Sequence, residues 1–204
     1  MSTISGENAY SYVGTPVGNL DLWYIISDLQ VNPNATEVIF IDVLTNKIRK
    51  IDFLSSNLLQ FELQEKSSPP KKNLSLSNLL NQKKEKASIS TIAGSGYTGS
   101  QNGNPLVASF NYASSIAIDW IISPNIIYVS DTGNNCTRKI NQTSSIVSTF
   151  AGNCSANGYQ DGPLLSALFS MPFSIRYLST SFGTKLLVVD SGNSVIRMID
   201  ITSG

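Results

Sequence analysis

Three kinds of segment recur along this 204-residue chain in one fixed order, which limits the fold to stacked copies of a single unit. The first is an S-T-[IF]-[AS]-G segment, found as STISG at 2 to 6, STIAG at 90 to 94 and STFAG at 148 to 152. The second is an A-x-F segment, where Ala108 and Phe110 match Ala167 and Phe169, followed by Ser115-Ile116 matching Ser174-Ile175. The third is an apolar run, an Asp turn and a second run: IDVLTNKIRKID, VSDTGNNCTRKIN and VVDSGNSVIRMID. The turn residues Asp42, Asp131 and Asp190 are 89 and 59 residues apart, and the serines Ser2, Ser90 and Ser148 are 88 and 58 apart. Two independent landmarks therefore give the same pair of periods.

Within a unit the apolar residues form short β-branched runs such as EVIFID, NIIYVSD and KLLVVD, bounded by Gly, Asn, Ser and Thr. That is a strand-and-turn pattern. In the second unit it predicts strands at 115 to 119, 125 to 131, 135 to 141 and 146 to 151. Four short antiparallel strands per unit make the blade of a β-propeller. Asp131 and Asp190 can bond backbone amides at the turn, and Gly133, Gly192 and their Asn neighbours tolerate positive φ there. The first unit has Asp42-Val43-Leu44-Thr45-Asn46 instead, so its turn must differ.

These segments resemble the NHL repeat family, whose pattern runs close to VSTIAG, A-x-F, P-x-G-I-A and VYVADTGNNRIRKI. The resemblance is close over 90 to 204 and weaker over 1 to 52, where GNLDLWYIISD replaces the A-x-F segment. It implies an all-β propeller, most often six-bladed, that binds protein, carbohydrate or RNA through loops at one face. Some relatives with similar propellers are lyases or lactonases that use histidines or metal-binding acids at the axis.

The chain is thus expected to hold about three four-stranded blades: a divergent unit at 1 to 52, an insertion at 53 to 89, and two well-matched units at 90 to 204. Three blades cannot close a ring, because each needs a neighbour on both faces. A piece of a longer propeller and half of a homodimeric assembly both satisfy this. The insertion, with Pro69-Pro70 and the lysine pairs Lys71-Lys72 and Lys83-Lys84, reads as a loop between the third and fourth strands of the first blade.

Composition then removes much chemistry. There is no histidine, hence no histidine general base, no histidine zinc ligand and no Ser/His/Asp triad. Lys plus Arg and Asp plus Glu are 14 each, which gives no reason to expect nucleic acid. No stretch is long and apolar enough for a transmembrane helix, and the N-terminal residues lack the pattern of a signal peptide. The literal GxGxxG at Gly94, Gly96 and Gly99 precedes no helical pattern and belongs to a connector between units, so no cofactor is expected.

Arg49, Arg138 and Arg197 each follow a turn aspartate by seven residues, and their recurrence favours structural pairing over ligand contact. No unit has the alternating acids of a calcium loop, so Asp42, Asp131 and Asp190 read as turn caps rather than metal ligands. Cys136 and Cys154 flank the hairpin that turns near Thr143-Ser144. A disulfide, implying an oxidising compartment, and two free thiols both fit that spacing. Five N-x-S/T sequons, at Asn34, Asn73, Asn135, Asn141 and Asn153, match the roughly four expected by chance from 19 Asn and 44 Ser plus Thr, and decide nothing.

The expected function is a non-enzymatic binding or scaffold module, with a slight leaning toward an ectodomain. It would recognise a protein or glycan through connectors 95 to 106 and 153 to 164, where Tyr97, Asn102, Tyr159 and Asp161 supply aromatic and polar contacts. A fragment of a propeller lyase or lactonase with its catalytic residues elsewhere, and a structural half-propeller that homodimerises, are the alternatives.

Overall fold

The computed structural model describes residues 11–12, 25–53, 87–180 and 183–201. The segment STISG and most of the 53 to 89 insertion lie outside them. The described residues form twelve strands and no α-helix. In chain order they are β1 (Ser11–Tyr12), β2 (Ile25–Val31), β3 (Glu37–Asp42), β4 (Lys47–Phe53), β5 (Ala87–Ala93), β6 (Ala113–Asp119) and β7 (Ser123–Asp131). There follow β8 (Cys136–Asn141), β9 (Ile146–Ala151), β10 (Pro172–Thr180), β11 (Gly183–Asp190) and β12 (Val195–Asp200). All pairings between strands are antiparallel, in three sheets ordered β1-β2-β3-β4-β5, β6-β7-β8-β9 and β10-β11-β12. The chain is an all-β protein of propeller type. β4 and β5 are neighbours paired from Phe53↔Ala87 onward, so residues 54 to 86 connect the third and fourth strands of the first blade.

The sheets stack face to face because the middle sheet supplies apolar residues to a core on each of its faces. One core, holding Ile39, Ile41, Phe110, Ile116, Ile127 and Ile140, fills the space between the first and second sheets. Another, holding Ala117, Tyr128, Phe169, Ile175, Leu186 and Val188, fills that between the second and third. Alternate residues of β6 and β7 thus face opposite neighbours, as a two-residue side-chain period requires. The inner strand β6 packs against both β2 and β10.

Irregularities recur with the repeat. The ladder is interrupted between Ala113 and Ser115 and again between Pro172 and Ser174. An extra residue also falls at Ile92 in β5 and at Phe150 in β9, and its side chain packs onto a core. These are β-bulges that bend equivalent strands at the same place in two blades each.

The turns after β7 and β11 are single 3-10 turns, Thr132–Asn134 and Ser191–Asn193. The positive φ in these turns falls on Asn135 (56°) and Ser194 (57°), not on Gly133 or Gly192. The glycines serve close approach instead. A Cβ on Gly133 would lie 2.7 Å from the Asn111 carbonyl oxygen, and one on Gly192 would lie 2.7 Å from that of Ser170. The first blade has its own solution, in which Thr45 Oγ1 donates to Asp42 at 2.6 Å and Asn46 takes φ 50°.

Candidate binding face

Each turn aspartate organises a buried polar knot. Asp131 Oδ1 accepts the Asn111 amide at 2.8 Å, and its Oδ2 accepts Asn134 Nδ2 and Arg138 Nη1, each at 2.8 Å. Arg138 then reaches the connector: Nη1 donates to the Ser109 carbonyl at 2.9 Å, and Nη2 donates to the Gln101 carbonyl at 2.9 Å and to Asn102 Oδ1 at 2.8 Å. The Phe110 ring lies 5.2 Å from the guanidinium carbon, and both charged side chains are fully buried. Burial pushes the Asp131 carboxyl above the ordinary carboxylate range, and the Asn111 amide, Asn134 and Arg138 pull it back.

The third blade repeats this knot bond for bond, 59 residues later. Asp190 accepts Ser170 N at 2.7 Å, Asn193 Nδ2 at 2.8 Å and Arg197 Nη1 at 3.1 Å. Arg197 continues to the carbonyls of Leu168 and Gln160, at 2.9 and 2.8 Å, and to the carboxylate of Asp161. In the first blade Arg49 Nε sits 2.9 Å from Asp42 Oδ2. A buried cation tying a turn to four groups of its own chain is not available to a ligand.

The four residues proposed as loop contacts separate accordingly. Asn102 and Asp161 occupy one repeat position and complete the knots of Arg138 and Arg197. Tyr159 joins the second of these, with the Arg197 guanidinium carbon 5.3 Å from its ring centre, yet its side chain stays exposed. Tyr97, 80% exposed, stands apart. It lies one residue from Thr98, whose hydroxyl receives Asn46 Nδ2 at 3.4 Å, beside the turn of the first blade. Cys136 and Cys154 form a disulfide that ties β8 to the start of connector 153 to 164.

A polar group that the repeat pattern had not marked lies on the inner strands. Asp28 of β2, Ser115 of β6 and Arg176 of β10 come together from three blades. Asp28 Oδ2 accepts the Ser115 hydroxyl at 2.7 Å, the Ile116 amide at 3.0 Å and Arg176 Nη1 at 3.1 Å. The same Arg176 nitrogen donates to Ser115 Oγ at 2.9 Å and to the Ile175 carbonyl at 2.8 Å. Asp28 is mostly buried, whereas the Arg176 side chain is 56% exposed. Both break the repeat. Register places Asp28 where the other blades have Ser115 and Ser174, and Arg176 where they have Gln30 and Ala117. Ser115 faces Ser130, next to Asp131, so this cluster sits at the end of the sheets that carries the Asp turns and the connectors.

At the other end Asp119 caps the β6–β7 turn through the Ile121 and Ile122 amides, at 2.9 and 3.0 Å. Burial pushes its carboxyl up, but those two amides and the Tyr177 hydroxyl hold it below the usual range. Among the described residues no three His, Cys, Asp or Glu side chains are grouped to hold a metal ion. None of the described helices or turns is long and apolar enough to cross a membrane as a helix.

No family model matches the sequence, and no curated protein is significantly similar to it. Solved structures do resemble the fold. An auxiliary nutrient binding protein from Bacteroides thetaiotaomicron superposes with a TM-score of 0.60 at 18% identity, over 88% of this chain and 38% of its own length. An auxiliary nutrient binding protein from Bacteroides ovatus gives 0.58 at 18% identity, over 83% and 36%. A putative phosphatase from Bacteroides thetaiotaomicron gives 0.58 at 16%, over 89% and 35%. This chain therefore spans between 35% and 38% of the length of these proteins. At such identities the likeness is one of fold, and the different descriptions carried by one fold make the same point.

Proposed function

We propose that this chain is part of a non-enzymatic recognition module of NHL-like type that binds a protein or glycan at the end of the sheets bearing the Asp turns. The observation that carries this reading is the Asp28–Arg176 pair. It departs from the repeat on the strands nearest the axis and leaves a guanidinium half exposed beside a carboxylate. A scaffold that only needs to stack has no use for charges that differ from blade to blade, whereas a ligand must meet something asymmetric. A fork of donors next to an acceptor suits hydroxyl, carboxylate or amide groups, and the exposed rings of Tyr97 and Tyr159 add apolar contact at the same end. The Cys136–Cys154 bond favours an oxidising compartment.

The test is a screen of the full chain against an immobilised oligosaccharide and peptide array, repeated with Arg176→Ala and Tyr97→Ala. The Asp28–Arg176 pair is partly solvated and contributes at most about 1 kcal/mol to folding, so Arg176→Ala keeps the fold, as far-ultraviolet dichroism would verify. Loss of about tenfold in affinity for any captured probe on Arg176→Ala supports the reading. Capture that neither substitution weakens contradicts it.

A further inference from the structure

The N-x-S/T sequons are no more numerous than chance gives, but the fold separates them by what each asparagine is needed for. At Asn135 both ends of the sequon are structural. Its Oδ1 accepts the Met171 amide of the third blade at 2.9 Å, as Asn46 Oδ1 accepts the Tyr112 amide at 3.3 Å one unit earlier. Thr137 is fully buried, its hydroxyl donating to the Ala151 carbonyl at 3.3 Å and accepting the Ala151 amide at 3.1 Å. An asparagine that latches one blade to the next, beside a buried threonine, is explained by the fold alone. In the sequon at Asn34 the Thr36 hydroxyl already accepts Asn32 Nδ2, at 2.9 Å. Asn73 lies outside the described residues.

Asn141 and Asn153 differ, because each uses only its oxygen. Asn141 Oδ1 caps the turn after β8 through the Thr143 and Ser144 amides, each at 3.0 Å, and Asn153 Oδ1 accepts the Ser155 amide at 3.0 Å. The repeat shows that the nitrogen is dispensable at both places. Register puts Asp52 and Asp200 of the other blades where the second has Asn141, and the spacing from the S-T-[IF]-A-G segment puts Ser95 where it has Asn153. Ser95 makes the same bond, its Oγ accepting the amide two residues on, that of Tyr97, at 3.3 Å. What asparagine adds over aspartate or serine is Nδ2, and at neither position does Nδ2 bond to a described residue. Thr143, Asn153 and Ser155 are exposed and Asn141 is half-buried. The second blade has a neighbour on each face, so this exposure does not arise at an end of the arc.

The central residue of the Asn153 sequon is Cys154, whose bond to Cys136 fits the oxidising lumen where secreted chains also acquire N-linked sugars. We infer that Asn141 and Asn153 carry N-linked oligosaccharides and that Asn135 does not. In the transfer, Nδ2 bonds to the anomeric carbon of a polyprenyl-pyrophosphate-linked oligosaccharide. The new N–C bond replaces the C–O bond to pyrophosphate, which departs on its lipid, and the amide gives up one proton to solvent. Neither glycan would border Asp28 and Arg176. Asn141 lies at the end of the sheets away from the Asp turns, and Asn153 follows β9, the strand of its sheet furthest from β6.

The test uses the chain isolated from the cells that make it. Treatment with a peptide N-glycosidase in heavy-oxygen water turns each glycosylated asparagine into labelled aspartate, which peptide mass spectrometry locates. Label is expected at Asn141 and Asn153 and not at Asn135. Asn141→Asp and Asn153→Ser insert the residues that the other blades carry, so each should remove the mass of one glycan while leaving the unfolding midpoint of the deglycosylated chain unchanged. Absence of label at Asn141 or Asn153, or label at Asn135, overturns the inference. So does unfolding of the deglycosylated Asn141→Asp chain, which would give Nδ2 a structural use.

Discussion

The second and third blades share every bond of the Asp–Arg knot, yet Arg138 is fully buried and Arg197 retains 8% exposure, with its partner Asp161 open to solvent. The difference teaches what each part of a blade contributes. The knot is assembled from the turn, the third strand and the preceding connector, so it forms with or without a fourth strand. In the second blade the fourth strand covers it: β9 brings Thr149 against Asn102, at 3.3 Å, over the fully buried Arg138. The first blade stands further off, with Arg49 18% exposed and a different turn.

The largest expected effect sharpens this ordering. Arg138→Met leaves a buried carboxylate without its cation and should cost about 3–5 kcal/mol in urea unfolding. Arg197→Met should cost roughly 2–3 kcal/mol and Arg49→Met roughly 1–2 kcal/mol, as solvent takes over part of the lost pairing. Equal costs at the three positions would break the comparison. The Arg138→Met penalty should also depend on pH. Asp131 already sits above its ordinary value through burial, and losing the cation raises it further. A carboxyl raised in the folded state contributes stability that is present below its unfolded pKa and is lost as pH rises through the folded one. The deficit relative to the unsubstituted chain should therefore be large at pH 7 and shrink toward pH 4.

A somewhat smaller effect separates the blades by covalent chemistry. The disulfide closes a loop with a sequence separation of 18, and the third blade has Val195 where the second has Cys136. Reduction under native conditions should lower stability by about 3 kcal/mol. Hydrogen exchange should locate the loosening at β8, β9 and residues 153 to 156, leaving the Asp190–Arg197 knot unchanged. Loosening spread evenly over both blades would mean that they do not keep separate local stabilities.

Much of this architecture was legible in the residues. Of the predicted strands of the second blade, the first two start two residues inside the observed ones, the third starts one residue early and the fourth coincides, because hydrophobic period and turn chemistry agree there. Arg138 and Arg197 were readable as structural from their spacing to the turn aspartates. Asn102 and Asp161 were harder: each looks like an exposed polar loop residue until the chain folds and an arginine 36 residues away claims it. Gly133 and Gly192 were assigned the right turn for the wrong reason, since sequence does not reveal that a carbonyl from the preceding strand entry passes within contact distance. Asp28 and Arg176 were missed because they belong to different units. Only the register of the inner strands brings them together, although aligning those strands would have exposed both as departures from the repeat.

The claim that joins these observations is that, among the described residues, the knot of the third blade stands without the strand that covers that of the second. Residue-resolved hydrogen exchange on the full chain tests it most directly. The account predicts that edge-facing amides of β12 exchange on the order of a hundredfold faster than their counterparts on β8, which are locked by β9. Equal protection of β8 and β12 would contradict it.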